Sequence, residues 1–153
     1  MPARCFRIMP MLCIGVAMML GACGGSEEVV PTPTPPAPPA PPAMATFSFQ
    51  VRGKGLDERF VHSTASSAFI AAARAQLALP VADRRQFPAG PIAAGNGSFN
   101  LNWGWHFTDV SLVEAAVEVC DGTPSMVQAN LNYWLTTVRN FCPWAAYVDT
   151  EVK

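Results

Sequence analysis

Charge is scarce in this sequence. Only 14% of its residues are Asp, Glu, Lys or Arg, and the formal net charge is −1. That balance provides neither a basic footprint for a nucleic-acid partner nor an acidic tail. Histidine is scarcer still, with only His62 and His106. No CxxC or HxxxH pair offers a zinc-ligand or thioredoxin-like spacing. No glycine-rich phosphate loop and no nucleophile-elbow pattern occurs, and no repeat of 20–50 residues is visible. No catalytic residue, metal ligand or cofactor is therefore expected, and nucleic acid is excluded as a partner. Proline, by contrast, is abundant and uneven: eight of fifteen lie between Pro31 and Pro42. The chain divides accordingly into a greasy start, a proline tract and a domain-like remainder.

In the greasy start, Arg4 and Arg7 precede an uncharged run from Met9 to Ala22. As a helix those residues rise only ~21 Å, short of a roughly 30 Å hydrocarbon core. A charged start and a short apolar run describe a secretory signal rather than a finished span. The run ends Leu20-Gly21-Ala22-Cys23, which resembles the lipobox of bacterial lipoproteins. The resemblance implies cleavage after residue 22, acylation of Cys23 and a bilayer as its partner. Anchoring by several acyl chains is effectively permanent, where one chain holds only marginally. Gly24 stands where an aspartate would often mark inner-membrane retention, so the resemblance points to the periplasmic face of the outer membrane. Residues 23–43 then form a linker, and proline fixes Pro31 to Ala43 as an extended polyproline spacer of about 40 Å.

Residues 44–153 are long enough to bury a core. Phe47, Phe49 and Val51 alternate with Ser48, Gln50 and Arg52, which reads as a strand, and Arg59–His62 as a second short one. A helix follows, capped by Ser63 or Thr64, with Phe69, Ile70, Ala73 and Leu77 on one face and Pro80 closing it. Ser98–Phe107 alternates aromatic and polar residues as a strand. The Asn96-Gly97 turn before it predicts a hairpin with Pro91–Ala94. Leu112–Val119 fits strand or helix, and its valines favour a strand. Thr123 caps a second helix with Pro124 at its first position, and its apolar stripe runs Val127, Leu131, Trp134, Leu135 and Val138. Ala146–Val152 is a closing strand. The order, ββα-ββ-βαβ, predicts an α+β domain in which two helices pack on one face of a largely antiparallel sheet.

Cys120 and Cys142 are the two cysteines of the domain. In an oxidising compartment a disulfide is the default, yet the pair flanks a straight helix ~20 Å long. The arms can span that only if the chain doubles back along its own helix, so a bridge, two buried thiols and an intermolecular bond all stay open. The polar face of the tryptophan strand carries His106, with Asp109 nearby; together with His62 and Asp121 they form the only metal or hydrolytic constellation available. Unremarkable surface histidines are the simpler reading. Glu114 and Glu118 read as a solvated face. Trp103, Trp105 and Trp134 lie on apolar faces and fit a core, while any tryptophan exposed beside Asn100, Asn102 and His106 would anchor a peptide or sugar; Trp105, His106, Asp109, Asp121 and Trp144 are the candidate binding residues for a protein or small-molecule partner.

Three motifs in order, Asn102 with Trp105-His106, Glu118 through Gly122, and Cys142-Pro143-Trp144, resemble a family of small bacterial secreted proteins labelled calmodulin-binding. These share a domain with the N-terminal part of a eukaryotic calmodulin-binding protein. The resemblance covers about Phe60 to Val152, implies an α+β domain and treats Cys120 and Cys142 as a matched pair. The segment between the second helix and Cys142 is shorter here than in the family. No catalytic residues carry over, and calmodulin binding is not expected of a bacterial protein. The expected function is a non-enzymatic, outer-membrane-anchored binding module. The alternatives are a small metal-dependent or hydrolytic enzyme using His106, Asp109 and Asp121, and an inhibitor of an envelope enzyme presenting Pro88–Gly97.

Overall fold

The computed structural model describes residues 43–116 and 119–153. The signal expected at residues 1–22, the expected lipidation site Cys23 with the expected linker, and Val117 and Glu118 lie outside them. The fold is α+β: seven antiparallel strands in two sheets, with helices between. The expected order holds, with one additional strand of two residues near the end.

β1 (Ala45–Val51) lies at the centre of the first sheet, between β2 (Phe60–Thr64) and β7 (Ala146–Val152). Phe47, Phe49 and Val51 are buried on one face as the alternation requires. The opposite face is buried as well. Ser48 donates to Asp149, and Gln50 Nε2 donates to the carbonyls of Lys54 (3.2 Å) and Gly55 (2.8 Å). A central strand covered on both sides must find internal partners for its polar residues; here Asp149 of the neighbouring strand and the loop after β1 supply them, while Gln50 Oε1 is buried without a partner. α1 (Ser67–Leu77) packs Phe69 and Ala73 into the core. Its cap is Ser66 rather than Ser63 or Thr64, with Oγ accepting from the Phe69 amide at 3.3 Å. Those two earlier residues still pair with β1. Arg84 finishes the helix from outside, donating to the carbonyls of Leu77, Leu79, Val148 and Asp149.

The second sheet is built on β3 (Phe87–Ala94). One flank pairs with β6 (Asn140–Phe141); the other pairs with β4 (Trp105–Phe107) and then β5 (Ser111–Val113). β4 and β5 are two halves of one strand, interrupted where the Asp109 carbonyl presses on Gly90, a position at which any Cβ would collide. Pro91, which lacks an amide donor, sits at this interruption and gives its carbonyl to the Thr108 amide (3.1 Å).

Two sequence expectations are corrected here. Ser98–Phe107 is a strand only at its end. Gly95, Gly97 and Ser98 adopt φ between 61° and 83°, which a pleated strand does not allow. Asn96–Gly97 is accordingly part of a longer excursion, closed by the Gly95 amide on the Gly104 carbonyl at 2.8 Å. Inside it Asn100 is fully buried while Leu101 faces solvent, the reverse of the alternation. Likewise the strand expected through Val119 stops at Val113.

The second helix is also not continuous. α2 (Pro124–Ala129) is capped by Thr123, as expected, and ends at Asn130, where φ −126° and ψ 38° leave the helical region. A single turn, α3 (Leu131–Tyr133), and a wider turn at Trp134–Val138 follow. Arg139 then takes φ 65° and reverses the chain into β6. That break closes the Cys120–Cys142 disulfide, with Cα atoms 5.2 Å apart and the Cys142 amide donating to the Cys120 carbonyl at 2.9 Å. The obstacle expected of a straight helix is removed by bending it. Among the described residues no helix is long and apolar enough to cross a membrane.

The sheets meet through aromatic side chains. Phe60 stacks on Phe49 across the β1–β2 pair, with centroids 5.1 Å apart, and touches Trp105, Phe107 and Phe141 of the second sheet. Asn100 completes the join: its Oδ1 accepts from the Val61 amide and its Nδ2 donates to the Trp105 carbonyl, both at 2.9 Å.

Asn100→Ala leaves two buried backbone groups without partners. It should cost on the order of 2–4 kcal/mol, read as a lower denaturant midpoint at unchanged slope. Replacing both Cys120 and Cys142 by serine should cost about 3 kcal/mol in the same assay, the value expected for releasing a loop of this size.

Candidate functional site

The residues singled out from the sequence fall into three separate places. The first is the core. Trp105 has no exposed surface, so it is not available to touch a ligand. Its ring packs on Phe60, Phe107 and Phe141. Trp103 is half-buried and donates from Nε1 to the Arg59 carbonyl at 2.8 Å.

The second place holds the histidines. His62 is buried, which corrects the expectation of a surface residue. It projects from β2 against Phe69 of α1, Phe99 of the loop and Phe107 of β4, meeting each edge to face. His106 flanks Phe99 from the other side and bonds through Nδ1 to the Gly95 carbonyl at 2.7 Å. Burial, reinforced by His106, lowers the His62 pKa to about 4, while the exposed Asp109 carboxylate pulls weakly the other way. A phenylalanine between two imidazoles, one of them neutral and buried, is a packing arrangement. Asp121 is not part of it. Among the described residues no group of three or more His, Cys, Asp or Glu side chains is placed to hold a metal ion.

The third place is the outer face of the second sheet, beside the disulfide. Asp121 Oδ1 accepts from the Trp144 amide at 3.0 Å. Trp144 follows the bridged Cys142 and Pro143, and the Ala146 amide closes a turn on the Pro143 carbonyl at 2.8 Å. The backbone of Trp144 is therefore fixed on both sides, yet the residue is 51% exposed. Past β5 the chain leaves the sheet, and two hollows open where it does. One, of about 390 Å³, is lined by Ala89, Gly90, Val113, Asn140 and the Cys120–Cys142 bridge. The other, of about 240 Å³, is lined by Arg85, Phe87, Glu114 and Trp144. Ala115 and Ala116 line both. Arg85 and Glu114 are exposed and form no ion pair with any described residue.

Asp121 and Trp144 are thus brought together as candidate binding residues, whereas Trp105, His106 and Asp109 are not part of this face. Sequence reasoning missed Arg85, Phe87 and Asn140. Their convergence depends on where the chain departs from β5, which no periodicity records. The segment Pro88–Gly97, considered as an inhibitory loop, is largely β3, paired on both flanks.

Because unfolded histidine titrates near 6.5 and His62 in the fold near 4, acid favours the unfolded state. The stabilising difference is complete above pH 6.5 and is lost as pH falls towards 4. Unfolding free energy should drop by about 2 kcal/mol between pH 7 and pH 5 on this account. In His62→Gln that part of the slope should vanish, as measured by chemical denaturation at both pH values.

None of the curated proteins compared matches this chain, and none of the solved structures does. The family described as the BP-74 N-terminal domain matches residues 43–153. The match spans every described strand and helix, and the family is the calmodulin-binding-protein-like domain that the sequence motifs resemble. By that match across most of its length, the chain belongs to the BP-74 N-terminal domain family.

Proposed function

We propose that the protein is an outer-membrane lipoprotein whose domain acts as a non-enzymatic binding module on the periplasmic side. The observation that carries the binding role is Trp144, an indole half open to solvent on a backbone fixed by Asp121, Pro143 and the disulfide. An exposed aromatic that is already ordered loses little freedom on binding, so its contact area converts efficiently into affinity. The hollow beside it combines apolar Phe87, Ala115 and Ala116 with charged Arg85 and Glu114, the usual mixture of a recognition site. The anchor rests on Leu20-Gly21-Ala22-Cys23 and on the proline-rich residues after it, which favour a domain held off the bilayer by a spacer. A hydrolytic reading through His106, Asp109 and Asp121 has no comparable support, since these side chains are committed to two separate places.

The anchor is tested by mass spectrometry of the protein from its native membrane. The mature chain should begin at Cys23, carrying acyl chains on the thiol and the new amino terminus. Cys23→Ser should appear in the soluble periplasmic fraction. An unmodified Cys23 in the membrane-associated chain would remove the anchor from this reading. The binding face is tested apart from it, by comparing partners retained from envelope extract by the full chain and by Trp144→Ala.

A further inference from the structure

The tryptophan hollow has a composition that narrows its ligand. It is lined by the half-exposed Trp144, by Phe87, Ala115 and Ala116, and by one guanidinium, Arg85, and one carboxylate, Glu114. The opposite charges balance, so the hollow offers no net attraction to an ion, while providing donors and acceptors for a ligand rich in hydroxyl groups. Ala115 and Ala116 also line the larger hollow beside the disulfide. A flat ring with one C–H face and a polar edge meets every feature.

Placement points the same way. The chain outside the structure joins the domain next to Ala45, at one end of β1. Trp144 lies at the other end: Val51 pairs with Ala146, and the Arg52 amide donates to the Ala145 carbonyl at 2.9 Å. Six residues of strand, about 20 Å, separate the attachment point from the level of the tryptophan.

We propose that this hollow binds a neutral N-acetylhexosamine ring of a glycan, its C–H face stacked on the Trp144 indole, its hydroxyls on Arg85 and Glu114, and its acetamido methyl on Ala115 and Ala116. The assignment rests on the reading of this face as a binding site. The test uses the full chain in detergent micelles, titrated with chitotetraose and separately with cellotetraose, and followed by tryptophan fluorescence and amide shifts. Chitotetraose should give a saturable change centred on Trp144, and cellotetraose should bind several-fold more weakly. Trp144→Ala should weaken chitotetraose about tenfold, the loss expected when a stacked aromatic is removed, and Trp144→Phe should retain most of the affinity. Ala115→Arg, which fills the hollow without touching the indole, should block binding as well. The proposal is overturned by the absence of a saturable response to chitotetraose, by a response that survives Trp144→Ala, or by cellotetraose binding equally well. Loss of a protein partner in Trp144→Ala, with no response to either sugar, would leave the binding face standing and remove the glycan.

Discussion

One buried amide holds the two halves of this domain in register. Asn100 supplies an acceptor to the amide of Val61, on the edge of the first sheet, and a donor to the carbonyl of Trp105, on the edge of the second. Neither strand has a neighbour of its own at that point, and an unpaired backbone group in so apolar a setting is costly. The side chain stands in for a strand. Around it the aromatics can close: Phe60 reaches Trp105, Phe107 and Phe141 only when β2 and β4 are held side by side. The loop from Gly95 to Gly104 exists to deliver this residue, and its left-handed glycines and the Asn96 side chain, accepting from the Ser98 amide, are the means.

The sequence was most readable where local rules and tertiary context agree. In β1 the alternation of Phe47, Phe49 and Val51 survived, because a central strand is compelled to keep its pleat. Pro124 after a capping Thr123 marked a helix start without help from packing. The aromatic alternation from Phe99 to Phe107 misled for a specific reason. Period-two spacing of large side chains is also what a loop folded over a core can show, and the positive φ values at Gly95, Gly97 and Ser98 override the pattern. The stripe from Val127 to Val138 likewise has helical spacing, yet its continuity is broken at Asn130, a residue able to leave the helical region at low cost. In that case the disulfide and the pairing of β6 with β3 outweigh helical propensity, which is a weak preference beside tertiary constraint.

The candidate site was legible only in part, for related reasons. Asp121 and Trp144 were visible as residues near the two cysteines. Arg85 and Phe87 come from the start of β3, Asn140 from β6 and Glu114 from the segment leaving β5. Their meeting depends on three-dimensional crossings that one-dimensional spacing does not encode. The histidines gave the opposite error. His62 sits on an alternating strand and reads as polar, but Phe69, Phe99 and Phe107 close around it. A neutral imidazole behaves there as one more aromatic ring.

The parts of the domain that carry stability are distinct from the face proposed to bind. The aromatic core, the Asn100 bridge and the Arg84 clamp on four carbonyls are buried or internally satisfied. Around the disulfide the same degree of order is combined with exposure: Val119 and Trp144 stand open beside a bridge that is itself almost wholly buried. Exposed apolar side chains scattered singly need no explanation, but a tryptophan fixed through its own amide, over a hollow with two uncommitted charges, is not scattered. Rigidity there serves no core. Ordering an exposed indole gains little for folding, and it lowers the entropy lost when a ligand ring is placed against it. The disulfide therefore has two consequences that follow from one bond: it ties the end of the second helix and β6 to the segment before α2, and it helps to fix the backbone that carries Trp144, the residue on which the proposed binding face rests.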